Sequence, residues 1–303
     1  MAGFMLTKQN NKLPILALLL GATCWGIAWY PYRLLNQSGF SGEAATALTY
    51  LVALISGIIF LRKNLSIQHN TASSENHWLI WIGITAGWTS IAYTLGVIHG
   101  EIVRVLLLFY LAPFWTIFFA RLLLNERLGL SGYWVIVLSL SGAMTILWQS
   151  NNDFPFPTQF SDWMGLSGGI MFALNNVLIR KDQHHTIEQK SLAIWLGVFL
   201  LSFMLTGMTG TLPNLDQIGN ETGLILLGLG ITIFLLSILL QYGLTHVPAN
   251  QAIVILLLEL FIAAIAAYYL ADEQLSAKEW IGGLMVVIAS LLSTKIHYET
   301  SQA

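Results

Sequence analysis

The residue with the most chemistry to offer is a carboxylate in an apolar setting. Glu259 falls about ten residues from either end of the run ANQAIVILLLELFIAAIAAYYL, 249–270. At the centre of a bilayer such a group costs roughly 2.5–3.5 kcal/mol on insertion scales, so it faces a cavity or a partner. Two roles in a site follow, a contact to the amine of a small molecule or a proton-carrying carboxyl; the alternative is a hydrogen-bonded helix-packing residue. Arg104 lies about one turn inside another apolar run and could meet a carboxylate, or snorkel outward, or pair with Glu101 at i, i+3. Asn175 and Asn176 are adjacent amides deep in a third run, costly unless hydrogen-bonded, and at least one is expected to line a polar cavity. Trp25 and Trp29 share a helix face at i, i+4, and Trp81 and Trp88 share one at i, i+7 with Thr85 between them. Their rings suit substrate contact and packing equally well. Trp78 and Trp280, near the ends of runs, read as interfacial belt residues.

Other chemistry is excluded. Cys24 is the single cysteine, so there is no disulfide framework, CxxC pair or cysteine-built zinc site, and His99 and His246 lack further ligands at metal spacing. No metal or other cofactor is expected. Neither an HExxH, nor paired catalytic carboxylates, nor a serine–histidine constellation occurs within the apolar runs, so the chain is not read as an enzyme. A Walker A loop is also absent, which excludes an ATP-driven pump on this chain.

The elements that carry these residues follow from composition. Of 303 residues 56% are hydrophobic and only 9% charged, with mean hydropathy +0.70. Soluble domains carry about 25% charged residues, so this is a membrane protein. With 13 basic residues spread thinly and a net charge of -2, no basic face is available to nucleic acid. Ten runs can span a bilayer: roughly 13–32, 44–61, 78–97, 101–121, 132–148, 162–180, 191–209, 222–242, 249–270 and 279–295. Continuous stretches such as GLILLGLGITIFLLSILL exclude the alternation of a transmembrane barrel, so the fold is all-helical. The first run is full length and flanked by Lys8 and Lys12, which reads as a retained span rather than a cleaved signal peptide. With the N-terminus inside, ten Lys and Arg residues (Lys8, Lys12, Arg62, Lys63, Arg121, Arg127, Arg180, Lys181, Lys190, Lys295) are cytoplasmic and three (Arg33, Arg104, Lys278) external. Basic residues stay inside during insertion, so both termini are expected in the cytoplasm.

The chain repeats. A shift of 147 positions superimposes Gly21 on Gly168, Arg33 on Arg180, Gly83-Ile84-Thr85 on Gly230-Ile231-Thr232, His99 on His246 and Glu126 on Glu273. Arg, His and Glu are rare here, so their coincidence at one offset marks a duplication. Each unit has an odd number of spans, hence the second is inverted relative to the first, and substrate sites of such proteins sit near the midplane between the halves. The expected organisation is a cytoplasmic tail (1–12), a first five-helix repeat (13–148), an external loop (149–161), a second five-helix repeat (162–295) and a cytoplasmic tail (296–303). Arg33 with Glu273, and Arg180 with Glu126, become two symmetry-related ion pairs at helix ends, either gate latches or plain interfacial pairs. Arg104 is matched by Gln251, and Trp25 and Trp29 by Phe172 and Asn176.

The stretches LAPFWTIFFARLLLNERLGLSGYWVIVLSLSGA (111–143) and LELFIAAIAAYYLADEQLSAKEWIGGLMVVIAS (258–290) resemble the drug/metabolite transporter superfamily, EamA type. Each is similar to that family's apolar helix, Glu-x-Leu turn and Gly/Ser-rich fifth helix. The resemblance implies ten helices in two five-helix units and transport of small molecules. Pro113 matches a proline of the family's fourth helix, whereas its repeat mate is Leu260, so only one half has an obvious kink site. We therefore expect a secondary active transporter of the bacterial inner membrane, working by alternating access on small metabolites. A cavity of aromatics, amides, one acid and one Arg fits amino acids or related zwitterions, with export as the direction. The competing readings are a carrier of nucleotide sugars, sugar phosphates or drugs, and a passive channel or scramblase. Anionic sugars would call for several cavity cations. The candidate partners are the substrate, the lipid bilayer, a coupling proton and a second copy of the chain.

Overall fold

The computed structural model describes residues 12–66, 77–99, 105, 108–147, 157, 159–211, 219–270, 277–293 and 298–300. The described helices are α1 (Lys12–Gln37), α2 (Gly42–Ser66), α3 (His77–His99), α4 (Ala112–Leu124), α5 (Leu130–Leu147), α6 (Phe160–Lys181), α7 (Ile187–Thr209), α8 (Asn220–His246), α9 (Ala249–Leu256), α10 (Leu258–Leu270) and α11 (Ala277–Ser293). Within the described residues every apolar run of the sequence is thus largely helical, the ninth being divided between α9 and α10. Among the described residues the departure from helix is a pair of three-residue strands, β1 (Glu126–Leu128) and β2 (Tyr298–Thr300). They pair antiparallel with Glu126 opposite Thr300, which holds the C-terminal segment on the side of the α4–α5 turn.

Six described stretches are long and apolar enough to cross a bilayer unaided: 12–37, 42–61, 77–96, 187–209, 220–246 and 249–270. α6 is not among them although it has 22 residues. It carries Asp162, Asn175, Asn176, Arg180 and Lys181, and neighbouring helices rather than lipid enclose most of that polarity: Asp162, Asn175 and Asn176 are all buried. Elsewhere the outward surface is apolar, with Phe60, Leu130, Trp134 and Met208 prominently exposed, as a hydrocarbon solvent requires.

The packing pattern displays the duplication. Under the 147 shift α1 becomes α6, α2 becomes α7, α3 becomes α8, α4 becomes α10, and α5 becomes α11. α3 packs on α6 as α8 packs on α1; α3 meets α7 as α8 meets α2; α4 meets α6 as α10 meets α1. α2 with α7 and α5 with α11 pack each on its own repeat mate. The extensive contacts therefore cross between the halves. Lipid supplies no hydrophobic drive for helix pairing, so such contacts depend on close backbone approach. A Cβ on Gly83 would stand 2.7 Å from the Ala193 carbonyl oxygen of α7, and one on its mate Gly230 would stand 2.9 Å from the Thr49 carbonyl oxygen of α2. The core at these crossings comprises Leu18, Ala53, Ile82, Trp195, Val198 and Ile233, from both repeats.

Candidate functional site

Two helices break at repeat-related positions. The fourth run has a turn at Tyr110–Leu111, followed by α4 with Pro113 in its first turn, where a missing N–H costs nothing. The ninth run has a turn at Leu257, where the Leu260 N–H donates to the Leu257 carbonyl at 3.1 Å, a tighter i→i+3 bond. Tyr110 and Leu257 are repeat mates. The sequence shows an obvious kink site only at Pro113, and the second break occurs without proline. Tertiary packing accompanies it, for a Cβ on Gly26 of α1 would stand 2.8 Å from the Glu259 carbonyl oxygen. Discontinuous helices in corresponding positions of two halves are the construction that lines substrate sites in inverted-repeat carriers.

Glu259 sits at this break, in the first turn of α10, half-buried. The positive end of a helix dipole favours negative charge there. The Tyr110 hydroxyl donates to the Glu259 carboxylate, and Tyr93 of α3 lies close enough to feel its charge. Phe109 packs edge-on against Tyr93 and Tyr110, with ring centroids 5.8 and 5.6 Å away, and lies 5.5 Å from Phe172 of α6. The polar side continues through Tyr32, whose hydroxyl is 3.1 Å from Thr49 Oγ1, and through Tyr50, hydrogen-bonded to Ser90. A carboxylate bordered by phenol hydroxyls and aromatic faces can hold an ammonium group by charge and by cation–π attraction.

None of these tyrosines was singled out from the sequence. A signal existed in the broken symmetry. The 147 shift pairs Tyr32, Tyr50, Tyr93 and Tyr110 with Ile179, Gly197, Leu240 and Leu257, all apolar. Of these mates, Ile179 and Leu257 are buried in packing.

The residues nominated from the sequence are distributed differently. Trp25 and Trp29 are half-buried on α1, Trp29 edge-to-face with Tyr30 at 5.7 Å. Trp81 is exposed, and Trp88 donates from Nε1 to Ser167 Oγ on α6 at 3.3 Å. Trp280 is exposed, while Trp78 lies under the Lys181 ammonium, 5.5 Å from the ring centroid. Asn175 spends its amide on α3, donating to the Ile82 carbonyl and to Thr85 Oγ1, both at 2.8 Å. Its amide nitrogen is thus committed to α3, whereas the buried Nδ2 of Asn176 has no hydrogen-bond partner among the described residues. Arg33 is exposed. Arg104 and Glu273 lie outside the described residues, and with Glu273 the Arg33–Glu273 pair.

The other pair does come together. Arg180 Nε lies 3.8 Å from Glu126 Oε1, and Arg180 Nη1 also donates to the Thr245 carbonyl at the end of α8. Beside it the buried Lys190 ammonium donates to the Ile179 carbonyl at 2.9 Å, to the Asp182 carbonyl, and to Thr245 Oγ1 at 3.3 Å. Lys190 thus caps the C-terminal end of α6, where a cation is favoured. Asp182 accepts from the backbone N–H of His184 and His185 and lies 2.9 Å from His185 Nδ1. Lys181 Nζ donates to the Leu123 carbonyl of α4 at 2.8 Å. This end of the molecule is closed by polar side chains reading helix ends.

Burial pushes the Glu126 carboxyl above the ordinary carboxylate value, against the pull of Arg180 and of the Ala249 N–H that it accepts. At 3.8 Å the ion pair is too long to offset the lost hydration. A carboxyl raised in the folded state makes the protein lose stability as pH rises from the unfolded carboxylate value through the folded one. Glu126→Gln removes that loss. We expect thermal melts of the Gln variant to match wild type at pH below the unfolded carboxylate value and to exceed it increasingly as pH rises to neutrality. A variant less stable than wild type at neutral pH would show that the ion pair outweighs burial.

Comparison with known proteins agrees with the duplicated helical fold. The model of the EamA-like transporter family matches twice, over residues 12–148 and 159–295, at the same 147-residue offset. An uncharacterized transporter of Archaeoglobus fulgidus is 25% identical over 206 residues, 68% of this chain and 72% of its own. The Pseudopaline exporter CntI of Pseudomonas aeruginosa is 22% identical over 259 residues, 83% of each chain. A solved crystal structure superimposes with a TM-score of 0.72 at 17% identity, covering 92% of this chain and 97% of the other, and shows the same fold.

Proposed function

We propose that this chain, which belongs to the EamA-like transporter family, exports small ammonium-bearing metabolites, with amino acids and related zwitterions foremost. The family makes it a multi-pass membrane transporter rather than an enzyme. The observation that carries the substrate class is the Glu259 carboxylate at a helix break, hydrogen-bonded to Tyr110 at the matching break and bordered by Tyr93. The carboxylate accepts the substrate's ammonium group, and Arg104, on sequence grounds, meets its carboxylate. A proton is the coupling ion in this reading, taken up and released by Glu259. An exporter among the relatives supports the direction.

Alternating access then consists of the two inverted halves rocking about the crossing of the broken helices. Counterflow in proteoliposomes tests the substrate class. Labelled zwitterionic amino acids are expected to exchange, and their N-acylated counterparts, which have lost the ammonium, to fail. Equal exchange of amine-blocked compounds would overturn the assignment.

The setting is a bacterial inner membrane with both termini cytoplasmic. Gln37 and His184 are repeat mates, both exposed, at corresponding helix ends of the two halves. Cysteines replacing them in a Cys24→Ser background are expected to react with an impermeant maleimide from opposite faces, Gln37→Cys outside and His184→Cys inside. Reaction of both from one face would refute the inverted arrangement.

A further inference from the structure

Near the Arg180–Glu126 pair lie three buried amides with polar atoms left unmet among the described residues. Asn176, Gln241 and Asn250 are 1%, 3% and 1% exposed. Asn176 Nδ2, Gln241 Oε1 and both amide atoms of Asn250 have no hydrogen-bond partner among the described residues. Their helices, α6, α8 and α9, touch one another pairwise. The Arg180 contacts place all three within about one helical turn of that residue. Arg180 donates to the Thr245 carbonyl, and Asn176 and Gln241 each stand one turn back from these residues on their own helices. Glu126, the Arg180 partner, accepts from the N–H of Ala249, next to Asn250.

Buried polar groups in native structures are nearly always satisfied, and an unmade bond is costly enough that a position needing only packing takes an apolar side chain. Three unmet amides in one cluster are therefore unlike a packed core. Their repeat mates are Trp29, Thr94 and Val103, so the amide cluster belongs to the second half alone.

We propose that Asn176, Gln241 and Asn250 form a neutral subsite on the transport pathway, closed in this conformation and opened when the Arg180 contacts part. The unmet donors, Asn176 Nδ2 and Asn250 Nδ2, suit carboxylate oxygens, and the unmet acceptors, Gln241 Oε1 and Asn250 Oδ1, suit an ammonium group. The ligand class is thus a zwitterionic head group, held without formal charge on the protein, so that it can be passed on to or from Glu259. This rests on the transport reading above.

The test uses single cysteines at Asn176, Gln241 and Asn250 in a Cys24→Ser background, each probed with an impermeant maleimide from the Arg180 side of membrane vesicles. With Arg180 intact, labelling is slow. With Arg180→Ala added, we expect at least about tenfold faster labelling at all three positions, while a cysteine at core Val198 stays unreactive. No acceleration at the three positions, or equal acceleration at Val198, overturns the proposal. Labelling needs no transport, so acceleration without any counterflow would count against the transport reading and not against the opening. As a second arm, folded Asn250→Leu should keep or gain thermal stability and lose about tenfold in zwitterion counterflow. Full counterflow in folded Asn250→Leu would reduce the cluster to packing and overturn the subsite.

Discussion

Glu259→Gln is expected to fold with wild-type yield and thermal stability yet to lose about ten- to a hundredfold in zwitterion counterflow, with whatever remains independent of pH. The amide keeps an oxygen to accept from the Tyr110 hydroxyl, so the turn between α9 and α10 keeps its partner. What disappears is the charge. A hydrogen bond to a charged group is worth about 1.5–3 kcal/mol, and each 1.4 kcal/mol is a factor of ten. A neutral amide also costs the bilayer less than a carboxylate, which is why stability should hold. A helix-packing role gives the opposite pattern: Glu259→Gln transports with the wild-type pH profile, and damage appears only in Glu259→Ala as lost stability. Proteoliposome counterflow against pH for both variants, with folded yield as control, separates the two.

Lys190→Met is expected to cost the fold about 2–4 kcal/mol while leaving the Glu259 site chemically unchanged. Methionine keeps most of the stem and its packing but removes the ammonium. The carbonyls of Ile179 and Asp182 and the Thr245 hydroxyl then lose a donor where the lysine itself is 0% exposed. Buried acceptors left unmet cost about 1–3 kcal/mol each, partly recovered where the helix end relaxes. The loss should register in thermal melts of purified protein. A Lys190→Met protein as stable as wild type would mean that the α6 end needs no cap.

The sequence disclosed the helices because hydrocarbon admits only continuous apolar runs, and it disclosed the duplication because rare charged residues recur at one offset. Arg180 and Glu126 could be nominated as a pair for the same reason. Other features belong to tertiary packing and leave little trace along the chain. The break at Leu257 has no proline and goes with the approach of α1 at Gly26. Asn175 and Asn176 are indistinguishable by type, yet neighbours on a helix point about 100° apart. One reaches α3, and the other reaches no partner among the described residues. Lys190 reads along the chain only as a positive-inside residue, because its acceptors, eleven, eight and fifty-five positions away, form no local pattern. The tyrosines around Glu259 sit at no telling spacing. They become visible only when the halves are laid on each other and one is found polar where the other is apolar.

Concentrative uptake tests the central claim, a coupled carrier with Glu259 at its midplane site, most directly. Proteoliposomes holding the purified protein are given an imposed pH gradient and an external labelled zwitterion that exchanges in counterflow. The account predicts accumulation above the external concentration, collapse of that accumulation when an ionophore dissipates the gradient, and no accumulation with Glu259→Gln. Uptake by the wild-type protein that stops at equal concentrations inside and out, whatever gradient is imposed, would contradict it and describe a passive pore.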